Sequence, residues 1–181
     1  MSTQVDKTFE VIDRHGTYST KYDDALKKFG TDDLLPLWVA DMDIASPLCV
    51  QNSMIKRASH PIYGYTTYPQ SYFKAIQNWM EKQFGWRVSQ EWIIPCYGVV
   101  PSINFAMTAY TQEGDGILIQ TPIYPPFVSS VQEKKRRVLD NRLSYAEGSY
   151  QIDFEDFEVK AKEAKLFLLC SPHNPTGRAW R

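Results

Sequence analysis

Apolar and polar positions along the chain predict helices separated by short buried strands. From Phe73 through Ile76, Met80 and Phe84 the apolar residues keep a helical period, and Gly85 is placed to end that helix. Short uninterrupted apolar runs of a few residues are typical of strands buried on both faces. After Gly85 these runs occupy residues 92–94, 117–119 and 166–169, with a weaker fourth run at 138–139.

Helical patterns lie between these runs, which decides the expected fold class. They cover residues 102–110, 126–135 and 154–164, and Asp153 is a plausible cap for the last of them. Strands that alternate with helices predict an α/β fold with a mainly parallel sheet and helices on both faces.

The first sixty residues do not share this rhythm. A short helix at 23–29 is expected to end at Gly30, and residues 34–39 form an apolar, extended segment. Ser46 and Pro47 are placed to start a further helix, which should end near the His60-Pro61 pair. We therefore expect residues 1–60 to form a separate N-terminal segment or small domain, and residues 61–181 to contain the sheet.

Composition and charge narrow the possible partners. Twenty basic and twenty-one acidic residues leave a formal net charge of −1, so no overall field favours nucleic acid or an anionic membrane. The one cationic run, residues 134–137, is expected to be a solvated helix end. No stretch has the length of a membrane span and the polar start lacks the layout of a secretion signal, which predicts a cytoplasmic protein with a small-molecule substrate.

The cysteines do not suggest a disulfide or metal framework. Cys49, Cys96 and Cys170 are odd in number, far apart and without metal-ligand spacing, so we predict buried, inert thiols.

Each of the three stronger strand candidates is followed by a loop of unusual composition. These loops cover residues 95–101, 121–126 and 171–177. If the strands are parallel, the three loops emerge at one edge of the sheet, and the carboxyl edge of an open α/β sheet is where ligands bind.

The first loop places Gly98 before a predicted helix. Free backbone N–H groups of Val99, Val100 and Ser102, together with the positive end of the helix dipole, could hold a phosphate. Taken alone, a glycine before a helix is more often just a tight turn.

The second and third loops supply an aromatic ring and an amide. Tyr124 lies among three prolines that could fix its ring as a flat platform, although packing in a core or lid would also explain it. Asn174 stands before a Pro-Thr-Gly turn, where its amide can donate and accept hydrogen bonds, and such turns are common. A phosphate cradle, a platform and an amide at successive strand ends are the groups that a phosphorylated aromatic cofactor requires.

Several motifs together resemble one enzyme family. The run 170–178 is similar to the asparagine-proline-threonine-glycine signature of pyridoxal-phosphate-dependent aminotransferases and their relatives. Further matches resemble the cystathionine β-lyase (C-S lyase) branch: residues 13–17, 34–36, 41–43, 63–65, 121–124 and 171–174. The resemblance implies the aminotransferase-like (type I) fold, incomplete, with part of the small domain in residues 1–60 and the N-terminal part of the cofactor-binding large domain in residues 61–181.

The resemblance also implies roles for individual residues. Gly98, Val99 and Val100 would meet the cofactor phosphate, Tyr124 would stack on the pyridine ring, and Asn174 would hydrogen-bond its phenolic oxygen. These roles agree with those suggested by the loops themselves.

Two further positions are implied outside the three loops. Tyr65 is similar to the family tyrosine that reaches the phosphate in the neighbouring subunit, which implies a homodimer; a buried structural tyrosine is the alternative. Backbone at Ala40 would approach the substrate carboxylate. None of the histidines is assigned a catalytic role, and His60 and His173 are expected to be turn residues.

The function implied is a C-S β-lyase that converts cystathionine or a related cysteine S-conjugate to a thiol, pyruvate and ammonia. In the family a lysine holds the cofactor as an imine, and none of the twelve lysines here matches its position, so we expect a truncated chain that is inactive alone. The last residues, 178–181, are expected to start a helix that leaves Trp180 unburied. A true aminotransferase and a non-catalytic module that pairs with a partner are the alternatives.

Overall fold

The computed structural model describes residues 11–180, which divide into two compact units. Unit 1 runs to Pro69 and unit 2 begins at Gln70. The sequence interpretation placed a boundary at residue 60, and the assignment of the two parts to a small and a large domain stays a prediction. The polar start considered above lies in residues 1–10, outside the described residues.

The described part of unit 1, residues 11–69, contains three helices and little regular structure between them. They are α1 (Thr20–Asp23), α2 (Ala25–Phe29) and α3 (Leu48–Ala58). Gly30 ends α2 in a left-handed conformation, as predicted. The start of α3 differs slightly, because Pro47 rather than Ser46 occupies the cap position and no side chain caps the helix.

The predicted extended segment at residues 34–39 does not become a strand. It contains bends, and Leu35 and Leu37 are exposed. An extended backbone becomes a strand only when its N–H and C=O groups pair with a neighbour. The described part of unit 1 offers one isolated bridge, between Val11 and Ile44, and that bridge leaves this segment out.

Unit 2 is an α/β structure in which the chain order of elements was largely predicted. Its helices are α4 (Gln70–Phe84), α5 (Val99–Tyr110), α6 (Pro125–Glu133) and α7 (Phe154–Glu163). The Asp153 side chain accepts a hydrogen bond from the backbone N–H of Asp156 at 3.0 Å, which confirms the predicted cap of α7.

A three-stranded parallel sheet forms the centre of unit 2. Its strands are β1 (Gly116–Ile119), β2 (Arg137–Asp140) and β5 (Ala164–Phe167), in the order β2-β1-β5. A separate antiparallel hairpin joins β3 (Ser144–Ala146) to β4 (Ser149–Gln151). The predicted strands at 117–119 and 138–139 are confirmed, and the one at 166–169 lies two residues earlier.

The predicted strand at residues 92–94 is wrong. Gln90–Trp92 form a short 3₁₀ helix, and Ile94 is 86% exposed. A lone apolar run has no backbone partner to make it a strand, and within residues 11–180 the three parallel strands pair only with one another.

Helices cover both faces of the sheet, which confirms the predicted architecture. Ile117 and Ile119 point to one face, where they pack with Ile103 and Met107 of α5 and with residues of α6. Leu118 and its register partner Phe167 share the other face, and the Phe167 ring meets Phe157 of α7 edge-on at 5.2 Å. All four residues of β1 are buried, so the core is centred on this strand.

The three thiols are less buried than the sequence predicted. Cys49 and Cys96 are exposed and Cys170 is half-buried, so the thiols are not buried as predicted; Cys49 lies in the outward-facing first turn of α3 and Cys96 in a loop. Within the described residues no group of His, Cys, Asp and Glu has the arrangement of a metal site.

The cationic run is only partly solvated. Arg136 donates from Nε to Thr111 Oγ1 at 3.0 Å and from Nη2 to Thr111 O at 2.7 Å, and Arg137 belongs to β2. The Arg136 guanidinium therefore binds the C-terminal end of α5 and is not simply exposed to solvent at the end of α6.

The segment that was expected to begin a helix does not do so over its described residues. Residues 178–180 form a bridge followed by irregular backbone, and Trp180 is half-buried. Its indole Nε1–H donates to Cys170 O at 3.1 Å, so the ring has a partner that the sequence did not reveal. No helix among the described residues is long and apolar enough to cross a bilayer.

Candidate functional site

The carboxyl ends of β1 and β5 bring two of the predicted loops together. The strands are parallel neighbours, so the loops at 121–126 and 171–177 emerge at the same edge of the sheet. The His173 ring joins them, because its Nε2 lies 2.9 Å from Pro122 O. The loop at 95–101 does not follow a strand, which corrects the expectation of three strand ends.

The first turn of α5 nevertheless reaches this part of unit 2. Ile103 packs in the same apolar cluster as Leu168, the residue after β5, and Asn104 Nδ2 donates to Ser130 Oγ of α6 at 3.0 Å. Since Ile103 is one turn from Val99, packing places the start of α5 near the carboxyl edge of β5.

Gly98 and the two residues after it form a potential anion site. Gly98 precedes α5 with φ 127° and ψ 173°, a conformation open almost only to glycine. Ser102 N–H donates to Gly98 O at 3.2 Å and Pro101 has no N–H, so Ser102 is not the free donor that we expected. The N–H groups of Val99 and Val100 have no acceptor among the described residues, and they lie at the positive end of the helix.

Tyr124 occupies the cap position of α6, and the residue is 42% exposed. Its carbonyl accepts from Phe127 N–H at 2.9 Å, and the neighbouring Ile123 is buried in the core. The backbone around Tyr124 is thus fixed while part of the ring stays open to a ligand.

Asp140 holds the start of the Tyr124 loop. Its Oδ1 accepts from Thr121 N–H at 3.0 Å and its Oδ2 from Thr121 Oγ1 at 2.6 Å. Leu143 N–H donates to Thr121 O at 2.7 Å. Both backbone polar groups of Thr121 are therefore bound, one by the last residue of β2 and one by the segment that follows it.

A buried series of hydrogen bonds connects the end of β1 to α7. Gln120 Nε2 donates to Asn141 Oδ1 at 2.9 Å, and Asn141 Nδ2 donates to Asp156 Oδ2 at 2.7 Å. Hydrogen bonds from Lys160 and then from Asn141 lower the pKa of Asp156. Both carboxamides are almost fully buried, and Gln120 Oε1 receives no hydrogen bond from the described residues.

Asn174 lies in a turn that is closed around His173. His173 O accepts from Gly177 N–H at 2.6 Å, and His173 N–H donates to Arg178 O at 2.7 Å. The Asn174 side chain is exposed and makes no hydrogen bond to the described residues, so its amide remains available. His60, in contrast to the buried His173, lies in an exposed bend after α3.

Unit 1 contains a compact group of charges beside Ala40. Lys21 Nζ donates to Asp43 Oδ2 at 2.7 Å and to Asp41 O at 3.1 Å. Arg14 Nη2 donates to Asp41 Oδ2 at 2.6 Å, and its Nη1 donates to Asp43 Oδ1 at 3.1 Å. The two cations fix the backbone on the C-terminal side of Ala40, which is itself exposed.

Each charge in this group stabilises its partner's ionised form. The hydrogen bond from Arg14 lowers the pKa of Asp41, and the hydrogen bond from Lys21 lowers that of Asp43. In turn Asp43 raises the pKa of Lys21, and Asp41 and then Asp43 raise that of Arg14. Both carboxylates therefore stay ionised at neutral pH.

Tyr65 is fully exposed in an irregular segment of unit 1, so it is not the buried structural tyrosine of the alternative interpretation. An exposed phenol is free to meet another molecule.

Sequence reasoning missed the residues that hold the site in place. Asp140 and His173 are separated from the loop that they bind by 19 and 51 positions respectively, so no local pattern reveals their contacts. The Arg14, Asp41 and Asp43 group had a signal, because all three lie in motifs that were noted for their resemblance to one family. Opposite charges in two such motifs could have suggested that they pair.

Comparison with known proteins gives consistent matches over most of the chain. The family model described as aminotransferase class I and II matches residues 33–181. Cystathionine β-lyase PatB of Bacillus subtilis (strain 168) is 42% identical over 170 residues, which are 93% of this chain and 44% of that protein. The chain thus spans less than half the length of this curated relative.

Solved structures agree with the fold of unit 2. A PLP-bound structure from Clostridium difficile 630 that carries an aminotransferase name has a TM-score of 0.90 at 43% identity, covering 96% of this chain and 45% of that chain. Cystalysin of Treponema denticola, which contains pyridoxal 5'-phosphate, has a TM-score of 0.86 at 34% identity over 94% of this chain and 44% of that chain. The fold is the incomplete aminotransferase-like architecture that the sequence predicted.

Proposed function

The chain belongs to the aminotransferase class I and II family, and from this premise we propose that it is part of a pyridoxal-phosphate-dependent C-S β-lyase. The protein would cleave cystathionine or a related cysteine S-conjugate, with water, to a thiol, pyruvate and ammonia. The observation that carries this proposal is the 42% identity to a cystathionine β-lyase over 93% of the chain.

The residues at the sheet edge fit the cofactor. Two unpaired N–H groups at Val99 and Val100 suit a phosphate, the partly exposed Tyr124 ring suits a stacked pyridine, and the free Asn174 amide can donate to a phenolic oxygen. When bound, the cofactor supplies an electron-poor ring that stores the negative charge left by removal of the substrate α-proton. The chain's own residues bind and orient it.

Positions in unit 1 would act on the substrate and on a second copy. We propose that backbone at Ala40, held by the salt bridges of Arg14 and Lys21 to Asp41 and Asp43, orients the substrate carboxylate. Tyr65 would reach the cofactor phosphate of a second copy, which makes the active protein a homodimer. We expect it to act in the cytoplasm.

Covalent attachment of the cofactor would need a residue that we do not find. None of the twelve lysines matches the position of the family lysine, so residues 1–181 would bind the cofactor without a covalent bond. Adding cofactor to this chain and recording the visible spectrum tests the point. Absorbance typical of lysine-bound cofactor, together with pyruvate release from cystathionine, would contradict it.

A chimera tests the function itself. Residues 1–181 replace the matching 44% of the Bacillus subtilis cystathionine β-lyase, and the purified protein is given cystathionine. We expect thiol and pyruvate in equal amounts. A folded chimera that binds the cofactor but releases neither product would overturn the proposal.

Site variants of the same chimera test the residue roles. Asn174→Ala and Tyr124→Ala should weaken cofactor binding, each by about tenfold, because each removes one contact to the ring. Tyr145→Ala is the matched control, since Tyr145 is exposed in β3 and has no proposed role.

An aminotransferase is the second candidate, and the name of the Clostridium difficile structure favours it. Incubating the chimera with an amino donor and a keto acid discriminates the two, because exchange without thiol release identifies the transferase. A chimera that folds yet takes no cofactor would instead support a non-catalytic module.

A further inference from the structure

His173 is fully buried although it lies in a polar loop at the sheet edge. Its backbone N–H and C=O close the turn that carries Asn174, through Arg178 O at 2.7 Å and Gly177 N–H at 2.6 Å. Its ring contacts Pro122 of the Tyr124 loop through Nε2 and Trp180 through Nδ1.

The two ring partners select one protonation state. The indole Nε1–H of Trp180 can only donate, and it is shared between Cys170 O at 3.1 Å and His173 Nδ1 at 3.3 Å, so Nδ1 faces a donor and serves as an acceptor. Pro122 O can only accept, and it lies 2.9 Å from His173 Nε2, so Nε2 must carry the proton. In the opposite tautomer the Nδ1–H group would face the indole N–H of Trp180. The lone pair of Nε2 would then face a lone pair of Pro122 O.

This geometry connects two residues proposed to hold the cofactor ring. Pro122 is two positions before Tyr124, and His173 is adjacent to Asn174. On the far side of the same loop, Asp140 binds Thr121 through both carboxylate oxygens. The Tyr124 loop is therefore anchored by Asp140 at the end of β2 and by His173 in the loop that follows β5.

We propose that His173, as the neutral Nε2–H tautomer fixed by Trp180, is a positioning residue that sets the spacing between the Tyr124 ring and the Asn174 amide. The meaning of that spacing for a cofactor rests on the proposed function. The tautomer and its contact with Pro122 do not.

Nitrogen NMR of the 181-residue chain labelled at histidine tests the tautomer directly. We expect the His173 ring to show a pyrrole-type Nε2 and a pyridine-type Nδ1 at neutral pH, with its signals assigned by their loss in His173→Gln. Trp180→Phe removes the donor to Nδ1 and should admit a visible share of the other tautomer. A doubly protonated ring, or an Nδ1–H tautomer in the unmodified chain, would overturn the inference.

Amide hydrogen exchange in the same chain tests the positioning role. His173→Leu leaves Pro122 O without its donor, so we expect exchange at Thr121 and Gly177 to quicken by about tenfold. His173→Gln keeps a donor at the same distance along the side chain and should restore slow exchange at Thr121. His60→Leu is the matched control and should change neither amide, because His60 is exposed in unit 1.

If His173→Leu does not fold, Trp180→Phe and His173→Gln still decide the result. If His173→Gln folds but exchange at the Thr121 amide stays fast, the result contradicts the proposed role of the Nε2–H donor. In the chimera, His173→Leu should weaken cofactor binding by about tenfold and His173→Gln should recover most of it. A chimera that never binds cofactor would count against the proposed function while the tautomer result stands.

Discussion

Unit 1 and unit 2 are stabilised by different forces. Among the described residues up to Pro69, Ala25 is the only buried apolar residue, and the buried polar ones are Ser19 and Lys21. Unit 2 instead has a continuous apolar core made by its sheet and helices: Ile103, Met107, Ile117, Ile119, Ile123, Phe127, Val131 and Leu168.

This difference predicts which unit has a stability that depends on pH. Burial of apolar surface is insensitive to pH, whereas hydrogen-bonded ion pairs depend on the charge of both partners. In unit 2 the residues proposed to bind the cofactor rest on an apolar core. In unit 1 the segment proposed to meet the substrate rests on the charges of Arg14, Lys21, Asp41 and Asp43.

Methionine truncation should show the largest contrast. Met107 is fully buried in α5 and Met54 is exposed in α3. Met107→Ala removes core contacts and leaves a cavity, so we expect a loss of about 2–5 kcal/mol in the free energy of unfolding. Met54→Ala should change it by no more than about 0.5 kcal/mol. Denaturant unfolding of both variants checks this, and equal losses would mean that α5 is not part of the core.

Glycine substitution should give the next largest effect. Gly98→Ala forces a side chain into a conformation open almost only to glycine, which costs about 1–3 kcal/mol. Gly64→Ala in unit 1 meets no atom within 4 Å and has no positive φ, so it should be neutral or stabilise by less than about 1 kcal/mol. The same unfolding measurement tests both, and a harmless Gly98→Ala would show that α5 begins differently.

Removal of Lys21 should weaken unit 1 selectively. Its side chain is only 9% exposed, and Lys21→Met removes the nearer of the two cations that pair with Asp43 and leaves only Arg14. We expect the thermal midpoint of unit 1 to fall by several degrees, whereas Lys27→Met at an exposed position of α2 should leave it unchanged. Fluorescence of Trp38, whose indole N–H donates to Lys21 O, reports the loss.

Acid should destabilise unit 1 before unit 2, and the effect should be smaller and more gradual than those of the substitutions above. The pKa values of Asp41 and Asp43 lie below the ordinary value of 3.8, so their contribution is full above that pH and is lost as the pH falls further below it. Lys21 has a raised pKa, so its contribution is lost only above the ordinary value of 10.5. Amide NMR signals of unit 1 should weaken on acidification before those of β1. In Asp43→Asn the signals of unit 1 should depend less on pH in the acid range. Simultaneous loss in both units would contradict the comparison.

Local pattern predicted much of unit 2. Period and length were enough for α4 with its end at Gly85, for β1, and for α7 with its Asp153 cap, because each depends on residues a few positions apart. The same pattern failed at residues 92–94, where a strand needs a partner that neighbouring sequence cannot provide.

The sequence by itself determined the alternation of strands and helices, the loops with Tyr124 and Asn174, and the family resemblance. Only the tertiary structure decided that Ser102 is engaged while Val99 and Val100 are free. It also decided that His173 is buried between the two loops and that Arg14 and Lys21 hold the segment after Ala40. The contacts of His173, Arg14 and Lys21 join residues far apart in the chain, and their hydrogen bonds exist only once packing has brought the atoms within about 3 Å of each other.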